Sequence, residues 1–301
     1  MLDGRAATKR DLVDYLDAVA HALIPAVAGR ALSVVRVRPG QEPFMQKNLP
    51  KYAPDWVART TVWAEASHRE VHYPLCDDRR TLLWLANQRA VEYHPALIKA
   101  GELHATYLVL DLDPPEGDGP GSVNWAHVVR AAMLIRSALD GVGLVGAVKT
   151  SGSKGVHIVV PITAVPLEDS AAATRALAAR AEALDPSVAT TAFIKADRGG
   201  KVFLDSTRAI GATVVAAYSP RIRPGLTVSF PVAWDDLPQV TPRDFTITTA
   251  PGLMAGGDPW AAALPAPQDL PAELVEHGHT IPVARVAAMH EGKRRKRAAR
   301  G

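Results

Sequence analysis

Residues 107–119 read YLVLDLDPPEGDG. The apolar run Tyr107-Leu108-Val109-Leu110 delivers two aspartates, Asp111 and Asp113, and then breaks at Pro114 and Pro115. Successive side chains of a strand alternate faces, so residues i and i+2 point the same way. Both carboxylates therefore leave the end of a buried strand side by side. Two such groups in close company repel, which raises one pKa unless a cation sits between them. Oxygen ligands of this kind suit Mg²⁺ or Mn²⁺. Taken alone, the D-x-D pattern leaves several readings open: a metal site at a strand end, a solvated turn, or the acids of a sugar-nucleotide transferase.

Outward from that strand, composition sets few limits. The 301 residues are 48% apolar and 22% charged, ordinary for a globular protein with a substantial core in one domain or two lobes. No uninterrupted apolar run is long enough for a transmembrane helix, and the start, MLDGRAATKRD, has no signal-peptide pattern. A single cysteine, Cys76, rules out a disulfide framework within the chain and agrees with a reducing cytoplasm. The net charge of +3 is too mild to name nucleic acid as the partner by itself. Six of the positive charges crowd into KRRKRAAR at 293–300, so a basic, disordered tail over 292–301 supplies much of the bias.

Thr8 opens a helix as its cap, with Asp11 at the third helical position and Leu12, Tyr15, Leu16, Val19 and Leu23 at helical spacing. That helix should end between Pro25 and Gly29. A valine-rich strand is expected over 31–37, two short strands of a hairpin over 60–63 and 70–73, and a helix over 79–91 with Leu82, Leu83, Leu85 and Ala86 on its buried side. Asn124 reads as the N-cap of a helix to Asp140, stopped by Gly141. Further strands are expected over 144–150, 156–161, 201–205 and 213–218, with an alanine-rich helix over 170–184. Prolines from Pro220 onward predict a winding segment on the core surface, and a last short helix is expected over 282–291. Trp56, Trp63, Trp84 and Trp125 read as core. The class is mixed α/β (α+β), built on a largely antiparallel sheet.

A second constellation is VKTSGSKGVHIVV, residues 148–160. Two apolar strands are joined by a turn of small residues in which successive N–H groups can form an anion nest. Ser151 adds a hydroxyl, Lys154 a charge, and His157 stands two residues into the next strand. The plain alternative is a hairpin turn with an exposed lysine, and the spacing is not that of a Walker loop. A third is RGGKVFLDS, residues 198–206, where alternation puts Lys201, Phe203 and Asp205 on one face. An aspartate closing a strand is commonly a turn former. Taken with Asp111 and Asp113 it makes a third carboxylate, and three acids with a phosphate cradle suit two-metal phosphoryl transfer.

These segments, in this order, resemble the archaeo-eukaryotic primase superfamily, and their surroundings sharpen the likeness. PFMQKNLPKYAPDW, YPLCDDRRTLLWLANQRAVEYHP, VLDLDPPEG, KTSGSKGVHIVVP, KVFLDSTR and AYSPRIRPG together resemble the polymerase domain of bacterial ligase D, an end-joining repair enzyme. The likeness covers about residues 8–234. It implies a stand-alone polymerase/primase domain over 1–301, with a primase-type catalytic core, an RRM-like antiparallel sheet flanked by helices, and two lobes forming one cleft. It implies that Asp111, Asp113 and Asp205 hold two metal ions, Mn²⁺ or Mg²⁺, and that Ser151, Lys154, Gly155, His94, Arg221 and Arg36 take the triphosphate of an NTP or dNTP. Arg198, Lys201 and His157 would border the cleft. Phe44 would stack on a template base, with Met45 and Lys47 beside it, and Lys9 would contact the 5′-phosphate of a downstream strand.

The resemblance further implies gapped or broken DNA as partner, with Ku and a separate DNA ligase in the same repair, no membrane, and a bacterial, cytoplasmic, nucleoid-associated location. Three departures stand out. Met45 replaces an expected second aromatic, the Arg208-Ala209 step lacks an expected asparagine, and an N-x-x-K-x-x-x-P block does not precede the first helix, from which either weakened 5′-phosphate recognition or a truncated or misassigned start is expected. The competing functions are a metal-dependent sugar-nucleotide transferase and a catalytically silent DNA-end-binding module.

Overall fold

A computed structural model describes residues 6–64, 68–115, 123–207 and 213–283, and the chain divides into two compact units. The first holds 6–103, 149–153 and 213–263 of these residues; the second holds 104–148, 154–207 and 264–283.

The first unit begins with α1 (Lys9–Ala18), whose start is the expected reciprocal cap. Thr8 donates its N–H to the Asp11 carboxylate at 2.7 Å, and the Asp11 N–H donates back to the Thr8 hydroxyl at 3.2 Å. The chain breaks helical geometry at Val19 and continues as α2 (Ala20–Val27), which ends inside the expected window; Gly29 then turns left-handed at φ +67°. There follow β1 (Leu32–Arg36), β2 (Phe44–Gln46), the antiparallel hairpin of β3 (Arg59–Ala64) and β4 (Arg69–Pro74), α3 (Arg79–Asn87) and β5 (Ala90–Pro95). β1 is the middle strand of an antiparallel sheet in the order β2-β1-β5.

Several expectations fail in this unit. The helix expected over 79–91 stops at Asn87, because Arg89 adopts φ +62° and turns the chain into β5, so Val91 lies in a strand. Leu83 and Trp84 are only partly covered, while Trp56 and Trp63 are 36% and 54% exposed. Trp63 projects from the hairpin, and Trp56 is capped by the Arg80 guanidinium 3.8 Å from its ring centre. Of the four tryptophans read as core, Trp125 alone is buried.

The second unit contains β6 (His104–Asp113), α4 (Val123–Asp140), most of the chain from β7 (Ala147–Thr150) through β8 (Val156–Pro166), α5 (Leu167–Leu184), β9 (Ala189–Thr190) and β10 (Val202–Asp205). Its sheet runs β7-β8-β6-β10-β9, antiparallel at β8/β6 and β6/β10 and parallel at β10/β9. Leu108, Leu110 and Leu112 of β6 are fully buried and lie opposite Val160, Ile158 and Val156 of β8. A Cβ on Gly146 would come within 3.2 Å of Leu139 on α4 and of Ile158 and Val160, which puts α4 on that face of the sheet. Each of these side chains contributes roughly 2 kcal/mol by leaving water. The opposite face of β6 carries Val109, Asp111 and Asp113.

The last two residues of β7 belong to the first unit, where the Thr150 N–H donates to the Phe230 carbonyl at 2.8 Å beside β11 (Pro231–Val232). That unit is completed by α6 (Ala250–Leu253) and α7 (Pro259–Ala263). The strand expected over 213–218 does not form. Its apolar residues are buried, but Ala216 donates to the Tyr93 carbonyl, Val215 accepts from Lys149 Nζ, and Tyr218 is left-handed at φ +66°. The proline-rich segment after Pro220 winds as expected, with strand geometry limited to the two residues of β11 and to isolated bridges at Pro220, Thr227 and Val228. α8 (Ala272–Thr280) packs on α5 in the second unit. The helix expected over 282–291, apart from Pro282 and Val283, which are not helical, lies outside the described residues, as do Arg208-Ala209 and the basic tail.

Candidate active site

The register of three strands in the second unit assembles the acids. Asp205 of β10 is the cross-strand partner of Asp111 on β6, and Asp111 is also the partner of His157 on β8. Partners across an antiparallel pair share a face, with Cβ atoms about 5 Å apart. Asp113 follows two residues along β6 on the same face. His157, Asp111 and Asp205 are buried. His157 Nε2 lies 3.2 Å from Asp111 Oδ1, and Asp205 Oδ1 accepts from the Thr207 N–H and hydroxyl at 2.8 and 2.6 Å. Among the described residues no three His, Cys, Asp or Glu side chains form a ready-made cluster that could hold a metal ion. The backbone supplies one face of three carboxylates, an oxygen donor set that fits a hard divalent cation.

The turn 151–155 carries the chain from the first unit into the second. Gly155 is required by closeness, since a Cβ there would lie 1.9 Å from the Leu112 carbonyl oxygen, in the middle of the acid segment. Gly152 is required twice over. Its φ is +64°, and a Cβ would lie 2.7 Å from Arg221 Cγ and from the Ser229 nitrogen. Lys154 is exposed and Ser151 is buried.

Within the first unit, His94 and Arg221 meet at a residue that sequence reading passed over. Glu92 precedes His94 by two on β5 and so shares its face. Glu92 Oε2 accepts from His94 Nε2 at 3.0 Å and lies 3.2 Å from Arg221 Nε, while Oε1 accepts the Ile222 N–H at 2.9 Å. Burial alone would raise the Glu92 pKa. The His94 hydrogen bond, the Arg221 charge and the Ile222 N–H outweigh it and bring the carboxyl down to about 2. Arg221 also donates to the Ser151 carbonyl, so it ties the phosphate-type turn to β5. The signal for Glu92 was the E-x-H pattern of a strand, hidden by reading 79–91 as helix.

Arg198 stacks on Phe203 with its guanidinium carbon 3.7 Å from the ring centre and donates to the carbonyls of Ala192 and Phe193. It therefore braces the loop that leads to Lys201 and β10.

The family model for the LigD primase-polymerase domain matches residues 8–260. The chain belongs to this family. It is 32% identical over 277 residues to the bifunctional non-homologous end joining protein LigD of Bacillus subtilis, with 90% of this chain and 44% of that protein covered. It is 36% identical over 245 residues to the multifunctional LigD of Mycobacterium tuberculosis, covering 76% of this chain and 31% of the relative. The chain thus spans less than half the length of these relatives. Among solved structures, the polymerase domain of Mycobacterium tuberculosis ligase D in complex with DNA is similar with a TM-score of 0.77 and 31% identity, covering 85% of this chain and 92% of that one.

The residues that the LigD resemblance assigns to DNA lie in the first unit. Phe44 is partly buried under Arg36 and Arg38, whose guanidinium carbons stand 6.0 and 5.0 Å from its ring centre. Met45 and Lys47 are exposed. Lys9 donates to the Asn87 side chain at 2.8 Å and lines a cavity of about 400 Å³ with Arg36, Arg38 and Arg89. Arg36 is buried there, donating to the Gln88 carbonyl and the Gln46 side chain, both at 2.7 Å. The structure thus groups Arg36 with Lys9; it pairs with Ala90, whereas His94 pairs with Ser33 three residues earlier on β1.

Proposed function

We propose that the chain is a template-dependent nucleotidyltransferase that adds ribo- or deoxyribonucleotides to DNA 3′ ends and fills gaps during break or excision repair, with primer synthesis as a related activity. The observation that carries this reading is the register that brings Asp111, Asp113 and Asp205 to one face in a LigD-family chain. Those three carboxylates hold the metal, two Mn²⁺ or Mg²⁺ ions in this reading. Bound there, the cations supply activation of the 3′-hydroxyl and charge neutralisation at the leaving pyrophosphate.

The other residues bind and orient. Ser151, Lys154 and Gly155 offer a hydroxyl, a charge and backbone N–H groups to the triphosphate, and Arg221 and His94 add directional donors. His157 fixes the Asp111 carboxylate through its ring nitrogen. Arg198 and Lys201 order the strand that ends in Asp205. Phe44 offers a stacking surface to a template base, with Met45 and Lys47 beside it. Lys9, with Arg36, Arg38 and Arg89, offers a phosphate cavity to the DNA. The working partners in this reading are gapped or broken DNA, Ku and a separate ligase, in the nucleoid of a bacterial cytoplasm. None of the described helices is long and apolar enough to cross a membrane.

A gapped duplex, a divalent metal and each single nucleoside triphosphate test the reading together. Extension by the nucleotide complementary to the template base supports it. Binding without extension would instead favour a DNA-end-binding module, and turnover of a sugar nucleotide would favour the transferase.

A further inference from the structure

Glu92 is a carboxylate placed where stability gives little reason for one. Its side chain is 8% exposed, and its neighbours His94 and Arg221 are 12% and 15% exposed. A buried ion pair seldom adds stability over an apolar packing of the same shape, because desolvation offsets most of the attraction. Such groups are kept more readily for the orientation that they impose on their partners. Glu92 is well arranged for that purpose. One oxygen serves both His94 Nε2 and Arg221 Nε, while the other holds the backbone directly after Arg221 through the Ile222 N–H.

The consequences for the two partners follow from their donor patterns. Arg221 Nε lies against Glu92 as an ion pair without an aligned hydrogen bond, and one terminal nitrogen is committed to the Ser151 carbonyl. The guanidinium is thus held from its Nε edge and from one end, which leaves its remaining donors with a single direction. The stem is held as well, since Gly152 leaves room for Arg221 Cγ where any side chain would intrude. For His94, donating Nε2–H to Glu92 fixes the orientation of the ring from its Nε2 side.

We propose that Glu92 is a positioning residue for nucleoside triphosphate binding, acting through Arg221 and His94 and not by contact with the nucleotide. The proposal rests on the polymerase reading above, and it adds a residue to which that reading gives no role.

The test is steady-state primer extension with Glu92→Gln, Arg221→Ala and the double variant, varying nucleotide and gapped DNA separately. Glu92→Gln should raise the nucleotide KM about tenfold or more, with kcat changed less than about threefold and the DNA KM unchanged. Because the effect passes partly through Arg221, the double variant should bind nucleotide less poorly than the product of the single effects. Glu92→Asp keeps the charge but shortens the reach, so its nucleotide KM should fall between wild type and Glu92→Gln; it also serves if the glutamine variant does not fold by circular dichroism. A wild-type nucleotide KM in Glu92→Gln while Arg221→Ala raises it overturns the proposal alone, as does a full product in the double variant. An unchanged nucleotide KM in Arg221→Ala overturns the nucleotide site itself, and the proposal with it.

Discussion

Asp205 stands directly opposite Asp111 across the β10/β6 pair. Like charges facing each other across strands are destabilising unless something between them is positive. A divalent cation is the natural counterpart of that arrangement. Mn²⁺ titrated into the protein and followed by calorimetry should therefore bind, with affinity reduced tenfold or more in Asp205→Asn and in Asp111→Asn. Equal binding in all three proteins would remove the acids from the metal site.

The glycines of the 151–155 turn should not tolerate even a methyl group. Gly155→Ala places Cβ against the Leu112 carbonyl between the two aspartates, so it should cost over about 2 kcal/mol and most of the activity. Gly152→Ala should raise the nucleotide KM by displacing Arg221. Gly143 is also left-handed, at φ +71°, but nothing lies within 4 Å of a Cβ there. Gly143→Ala should cost about 1 kcal/mol and leave activity intact. Urea denaturation and extension rates on the three variants separate contact from strain.

Stability should report Glu92 through acid. Its carboxyl is depressed in the folded protein from the usual 4.5 to about 2. The stabilisation is therefore present above pH 4.5 and disappears as pH falls towards 2, and by linkage it amounts to on the order of 3 kcal/mol. The stability gap between wild type and Glu92→Gln should hold level from pH 7 to 5 and narrow below 4.5 in urea titrations. A gap of constant size down to pH 3 would show that the carboxylate is not held by His94, Arg221 and the Ile222 N–H.

The Lys9 cavity should declare itself by salt. If Lys9, Arg38 and Arg89 meet a DNA phosphate, Lys9→Ala and Arg38→Ala should each weaken binding to gapped duplex about equally across sequences. Each should also flatten the plot of log affinity against log salt by about one unit. Unchanged slopes would place these cations away from the DNA.

Much of the acid site was legible because it is local and periodic. A strand with period-two alternation announces that Asp111 and Asp113 share a face, and an apolar strand closing on Asp205 supplies the third acid. The Thr8–Asp11 cap was legible for the same reason. The Glu92 cluster was not. Arg89 takes a left-handed turn that no glycine or asparagine marks, so the residues after it continued a helical pattern and β5 went unseen. The segment 213–218 misled in the opposite sense. Its short apolar run with two valines suits a strand, but its backbone groups bond to separate partners, Val215 to Lys149, Ala216 to the Tyr93 carbonyl and Tyr218 to the Ser229 carbonyl. Trp63 reads as core by type alone, yet it lies on a hairpin with nothing in the sequence to show which face is covered.

Primer extension by the double variant Asp111→Ala/Asp113→Ala decides whether these acids carry nucleotide transfer. On a gapped duplex with Mn²⁺ or Mg²⁺, the wild-type protein should add the templated nucleotide. The variant should remain folded, bind the duplex, and extend it at least a thousandfold more slowly, on the order expected when the charge-stabilising element of a transfer site is removed. Extension at the wild-type rate by the folded double variant would show that Asp111 and Asp113 do not carry the transfer.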